Sequence, residues 1–368
     1  MRPFLALLKK ETIQMRRDQG TLRFAIILPV FQLILFGTID TNVRRVPTMV
    51  FDQSRTQASR ALIRDFANTS YFEVVGEAPS RDALRGAVVA ARASVGIEIP
   101  PDYGRRRLEG RPGEVLVLID GSDSTISGQA LQAANGLALQ RSLEELMARA
   151  GAPGLPYDLH PLLLFNPDSR SANLLIPGLV AILLAFSGTL LAAYGIVRER
   201  ERGTLEQLMV TPVSAVSVVL GKLLPYLALG FVQLGLILTL MTTVFGVPIH
   251  GSLALLLVLA FVYLFALLSL GLLISSWAST QTEATQIAQM FLLPSIMLSG
   301  YIFPLSSLPA PLRALAQVLP ATHFIAISRG IIIRGAGLAD LWPDVAALMA
   351  LALVIVAAST RAIRKTLK

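Results

Sequence analysis

The 368-residue chain reads as a polytopic α-helical membrane protein: six transmembrane helices, an interfacial N-terminal helix, a re-entrant outer hairpin and an α/β extracytoplasmic domain between the first and second spans. Three observations predict this. The composition is 54% hydrophobic and 15% charged, against about 25% charged in soluble domains. Apolar runs of the length that crosses about 30 Å of hydrocarbon, roughly 20 residues, recur along the chain. Lys and Arg gather in three short segments beside those runs.

Residues 1–20 begin "MRPFLALLKKETIQMRR", which on a helix puts Phe4, Leu8 and Met15 on one face and Lys9, Lys10, Arg16 and Arg17 opposite. That pattern suits a helix lying in the membrane interface. Glu11 interrupts its apolar face. Residues 21–39 form the first span, and the following "GTIDTNVRRVP" has no small-x-small cleavage site, so an uncleaved anchor is expected rather than a signal peptide.

Residues 40–170 are too many for a loop and predict a domain. "VPTMVF", "YFEVV", "SVGIEI" and "EVLVLI" read as strands, with helical stretches over 55–67, 81–91 and 126–150. Asp120 and Asp123 follow the last strand and precede the longest helix; a turn and a helix cap explain them better than a metal site. Residues 171–368 hold the remaining spans, over 173–197, 218–245, 252–276, 286–303 and 341–359. A polar element lies at 198–214 and a proline-punctuated, re-entrant segment at 304–335.

The basic residues fix the orientation. Arg2, Lys9, Lys10, Arg16, Arg17 and Arg23 lie at the start; Arg198, Arg200, Arg202 and Lys222 lie around the second loop; Arg361, Arg364, Lys365 and Lys368 lie at the end. Less the acids beside them, they account for the whole formal excess of +8. The charge is therefore an orientation signal that places both termini in the cytoplasm, and nucleic-acid binding has no support.

Several chemistries are excluded or disfavoured. With no cysteine, the chain has no disulfide and no thiolate metal site. No catalytic constellation and no metal-ligand spacing occur. Arg23, Lys222 and Asp344 sit near span ends, which argues against a proton path through a mid-membrane ionisable group. The nearest string to a phosphate-binding loop, "VVLGKLL", lacks the leading glycine and the final hydroxyl. The chain is expected to hold no cofactor and not to hydrolyse ATP.

The polar stretch "VRERERGTLEQLMVTPVS" needs its own account. Thr204 and Gln207 have capping-box spacing, Leu205, Leu208 and Met209 form an apolar side, and Thr211 caps a second helix with Pro212 at its first position. The result is a helix, break, helix element facing the cytoplasm with charges free to meet another protein.

These residues resemble the ABC-2 type family of ABC transporter permeases. Glu199, Arg200, Glu201, Gly203, Thr204, Glu206, Leu208 and Pro212 match its E-R-E-x-G-T-x-E-x-L-x-x-x-P pattern. "KKETIQMRRD" is similar to its leader through Lys10, Glu11, Arg17 and Asp18, and "FNPDSRSANLLIPG" through Asn166, Pro167, Pro177 and Gly178. The hallmark near the last spans is matched by Ser299, Gly300, Pro304, Pro309, Pro320, Arg329, Gly330 and Gly335, with Leu308 in place of the usual methionine.

The resemblance implies a permease subunit of an efflux transporter of the bacterial inner membrane, exporting drugs or other amphipathic compounds. It implies pairing with a second copy or a paralogue, a separate ABC ATPase that binds ATP and Mg, and a periplasmic adaptor. The element at 198–214 would be the coupling helix, touching the ATPase through the matched residues and Met209. Gln32, Gln233, Gln286 and Gln289 are candidates for a substrate cavity, which interhelical hydrogen bonding explains as well. His323 is either a pH or substrate contact or a histidine bonded to backbone. Two alternatives stay open: a mechanotransmitter acting on a periplasmic partner, and a membrane receptor with an outer sensor domain.

Overall fold

The computed structural model describes residues 2–39, 44–150, 164–203 and 215–366. The helix, break, helix element at 204–214 and His160 lie outside the described residues. The chain divides into two compact units, Met1–Asp40 with Leu163–Lys368, and Thr41–Leu162.

The first unit opens with α1 (Arg2–Arg17), basic in its last turn, and α2 (Gln19–Gly37), which carries Pro29. Leu33 of α2 is fully buried, whereas Phe24, Ile27 and Phe31 face outward.

The second unit holds β1 (Val46–Asp52), α3 (Gln57–Asn68), β2 (Phe72–Glu77), α4 (Arg81–Val89), β3 (Val95–Ile99), α5 (Tyr103–Leu108), β4 (Leu116–Ile119) and α6 (Ser124–Ala150). The strand order is β2-β1-β3-β4. β1 pairs in parallel with both β2 and β3, each crossover carrying a helix, and β4 closes antiparallel on β3. "VGIEI" is buried along its whole length, as a strand interior to a sheet and covered by helices should be. Val50, Phe66, Phe72, Val95, Ile97 and Ile99 fill the core. Thr56 starts α3 through a reciprocal capping box, its Oγ1 accepting from Ser59 N at 3.2 Å while Thr56 N donates to Ser59 Oγ at 3.0 Å. Asp120 accepts from Ser122 N at 2.9 Å, which holds its carboxyl below the usual range, and Asp123 accepts from Thr125 N and Ile126 N at the start of α6.

The first unit resumes with α7 (Ser171–Glu201), α8 (Ala215–Thr243), α9 (Leu253–Trp277), α10 (Gln281–Leu298), α11 (Ala310–Ala316), α12 (Pro320–Arg334) and α13 (Leu338–Thr366). α7 is the central helix, packed against α2, α8, α9, α10 and α12 and buried along most of its length. Among the described residues four helices, Ser171–Glu201, Leu220–Thr243, Leu253–Trp277 and Leu338–Ile363, are long and apolar enough to cross a membrane. The number rises to six if each of two bent pairs is one span, Leu7–Arg17 with Leu22–Gly37 at 64° and Ala310–Ala316 with Pro320–Arg334 at 79°.

This is a multi-pass membrane architecture. The helix over the expected fifth span, α10, is not among the candidates. Gln281, Glu283, Gln286 and Gln289 make its first half polar, and Gly300, at φ +81°, turns the chain soon after its end. The second bent pair lies instead within the segment read as re-entrant.

Candidate functional site

The polar run that ends α7 is where the charged side chains of the first unit gather. Successive helical residues point about 100° apart, because a turn takes 3.6 residues. Glu199, Arg200 and Glu201 therefore reach three different neighbours.

Glu199 points inward and is 2% exposed. Its Oε2 lies 2.7 Å from Lys222 Nζ of α8, and it also pairs with Lys10 of α1. Lys222, itself 2% exposed, reaches Glu11 Oε1 at 3.0 Å and donates to the Gly195 carbonyl at 3.4 Å. Lys10 Nζ stands 3.5 Å from Glu11 Oε1. Two carboxylates and two ammonium groups from α1, α7 and α8 thus neutralise one another. Buried charge is tolerated only on such terms.

The neighbours of Glu199 extend the brace. Arg198 pairs with Asp18, between α1 and α2. Arg200 donates to the carbonyls of Ser275 and Ala278, where α9 ends, a favourable place for a cation. Glu201 is exposed and accepts from Gln281 N at 2.7 Å and from Gln281 Nε2, at the start of α10. Gly203 follows at φ +67°, the left-handed conformation that commonly ends a helix. The remaining residues assigned by resemblance to ATPase contact, Thr204, Glu206, Leu208, Met209 and Pro212, lie outside the described residues.

The hairpin residues cluster at the other end of α7. Arg329 of α12 donates from Nη1 to Gly300 O at 2.9 Å and from Nη2 to Tyr301 O at 3.2 Å, tying down the turn after α10. Gly178 makes room for it, since a Cβ there would lie 2.9 Å from Tyr301 Cδ2 and 3.1 Å from Arg329 Nη2. Ser328 Oγ donates to the Pro177 carbonyl at 2.9 Å. Pro304 and Pro309 flank a short 3-10 turn, Pro320 begins α12, and Gly335 ends it at φ +66°. His323 is bonded through Nε2 to Gln317 O and through Nδ1 to Asp344, each at 3.0 Å.

The four glutamines have different surroundings. Gln233 is 1% exposed and its Oε1 accepts from Ser187 Oγ at 2.6 Å, joining α8 to α7. Gln32 is half-buried on α2, while Gln286 and Gln289 lie on the exposed side of α10.

Sequence reasoning placed Lys222 among the orientation charges and missed its partners. One signal was present: Glu11, a carboxylate on the apolar side of an amphipathic helix, requires a cation from another element. Among the described residues, no group of three or more His, Asp or Glu could hold a metal ion.

The model of the "ABC-2 family transporter protein" family matches residues 20–361. The chain belongs to the ABC-2 transporter family. Among relatives of this ABC-2 chain, the "Probable multidrug ABC transporter permease YbhS" of Escherichia coli is 29% identical, over 90% of this chain and 88% of its own length. The "Probable multidrug ABC transporter permease YbhR" of the same organism is 30% identical, over 91% of each chain. The "Inner membrane transport permease YhhJ" of Escherichia coli is 29% identical, over 84% of this chain and 83% of its own length.

Proposed function

We propose that this ABC-2 chain is the permease subunit of an ATP-driven exporter of drugs or other amphipathic compounds, working as a dimer in the bacterial inner membrane. Both termini and the 198–214 element face the cytoplasm, and the α/β unit lies outside. ATP and Mg bind to a separate ABC ATPase, which the 204–214 segment meets as a coupling helix through Glu206, Leu208 and Met209. A periplasmic adaptor completes the path.

The observation that carries this reading is family membership joined to the charged brace. Both helices flanking 204–214 are tied into the bundle by ion pairs, so a force applied there has somewhere to go. Membership of a transporter family favours transport over the receptor alternative.

The test is reconstitution of the chain with an ABC ATPase in lipid vesicles, with a fluorescent amphipathic dye as substrate. Export that requires both the ATPase and Mg-ATP is expected. Export driven by an ion gradient without nucleotide would overturn the reading. ATP hydrolysis that moves no dye, yet alters the accessibility of the α/β unit, would favour mechanotransmission.

A further inference from the structure

Glu199 and Lys222 stand on the two helices that flank 204–214: Glu199 in the last turn of α7, Lys222 about two turns into α8. Both bear on α1, through Lys10 and Glu11. Of the four groups only Lys10, 45% exposed, has ready access to water. Replacing such a knot with apolar side chains of equal volume typically costs little stability. Folding alone therefore does not require these charges. Moving α1 away from α7 and α8, in contrast, would break both pairs that join it to them, Glu11–Lys222 and Lys10–Glu199.

We propose that the knot makes α1 and the α7–α8 stem a single lever, with Glu11 and Lys222 as its positioning residues. The lever stays closed through the transport cycle and carries displacement of 204–214 into α1. This rests on the reading of the chain as an ATP-driven permease. A rigid lever keeps every ion pair while it moves, whereas a hinge between α1 and the α7–α8 stem would break the two that cross from α1 each cycle.

The packing beside the knot agrees. Gly221, next to Lys222, faces Leu7 of α1 so closely that a Cβ built on the glycine lies 2.8 Å from Leu7 Cδ2 and 3.5 Å from Leu7 Cβ. The latter spacing falls within the Cβ–Cβ range of a disulfide, about 3.5–4.5 Å. The chain has no cysteine of its own, so a pair introduced there has no competitor within it.

The experiment uses the full complex with its ATPase in vesicles. Leu7→Cys with Gly221→Cys should form a disulfide, and ATP-driven dye export should be equal in the oxidised and reduced forms. Failure of the bond to form, or export lost on oxidation and regained on reduction, overturns the closed lever. In parallel, Glu11→Leu with Lys222→Met removes one cation and one anion while leaving Lys10 with Glu199.

That double variant should bind the ATPase and unfold like the unaltered chain. Its export per ATP should fall roughly 5- to 150-fold, the range of a typical coupling between sites. Unchanged export per ATP, or loss of assembly in place of coupling, overturns the positioning role. Failure of the unaltered complex to export strikes the permease reading instead, and the lever is then read from disulfide formation and the ATPase rate of the double variant.

Discussion

Gly271 of α9 faces α7 at its closest approach, and replacing it with alanine tests how tightly the central helix is held. A Cβ at Gly271 would strike the carbonyl oxygen of Thr189, and would lie 2.8 Å from Ala192 Cβ and 3.0 Å from Ala193 N. Two of these three are backbone atoms, so no rotamer change relieves the contact. Carbon atoms pack at about 3.5–4.0 Å, and the helices must therefore part by about 1 Å. Overpacking costs about 1–3 kcal/mol. Alanine regains about 1 kcal/mol over glycine through helix propensity. A contact against immovable backbone belongs at the upper end of the cost, which leaves a net loss of about 1–2 kcal/mol. Gly235 of α8 is the control, because a Cβ there meets nothing within 4 Å and only the propensity gain remains. Unfolding in mixed micelles by added dodecyl sulfate should rank Gly235→Ala above the unaltered chain and Gly271→Ala below it. Equal or greater stability of Gly271→Ala would refute the close approach of α7 and α9.

Three further outcomes are expected. Arg329→Gln should lose about 2 kcal/mol, since two hydrogen bonds from a charged donor at about 1.5–3 kcal/mol each are partly offset by the relief of a buried cation; Arg329→Lys should not restore it in a thermal melt, because an ammonium lacks the fork that spans both carbonyls. Glu201→Gln keeps one acceptor oxygen for Gln281, turns an amide toward its other donor and removes the charge at the start of α10, so at this exposed position the melting midpoint should shift only slightly, and a large drop would refute the exposed setting. Cysteines at Ser122 and Ser127 should react with an impermeant thiol reagent outside intact spheroplasts, and one at Thr366 only after permeabilisation; outside labelling at Thr366 would reverse the orientation.

Much of the fold is legible because burial leaves a local pattern. The strand-like runs around Val50, Val74, Ile97 and Val117 are the four strands, since alternation or continuous apolarity shows within a few residues. α5 was not foreseen: "YGRRRL" is short, and what ties it to the unit, the burial of Tyr103 and Gly104, the bond from Gly104 N to Ser54 Oγ and the pair of Arg107 with Glu145, lies outside any local pattern. The expected fifth span is less legible for a related reason. Residues 286–303 are apolar enough on average, yet the helix starts earlier, among Gln281 and Glu283, and stops before Gly300. The brace was least legible, because Lys222 and Glu11 are 211 residues apart and neither position signals the other except through the anomaly of Glu11 on an apolar face.

A charged run between two apolar helices has two physical uses, and Gly203 divides them. Before it, the residues are helical, and helical spacing sends Glu199 to α1 and α8, Arg200 to the end of α9 and Glu201 to the start of α10. Reversing any of these charges breaks a bond within the chain, so a loss of transport would not tell an internal brace from a contact with another protein. After Gly203, in 204–214, Glu206 is the sole ionisable residue, set among the apolar Leu205, Leu208 and Met209. A single carboxylate in an otherwise uncharged, largely apolar stretch suits an interface better than a solvated loop, which would carry more charge. Contact with an ATPase is therefore best probed at Glu206, and the brace at Glu199. The two sides of Gly203 in E-R-E-x-G-T-x-E should therefore be tested by separate mutations.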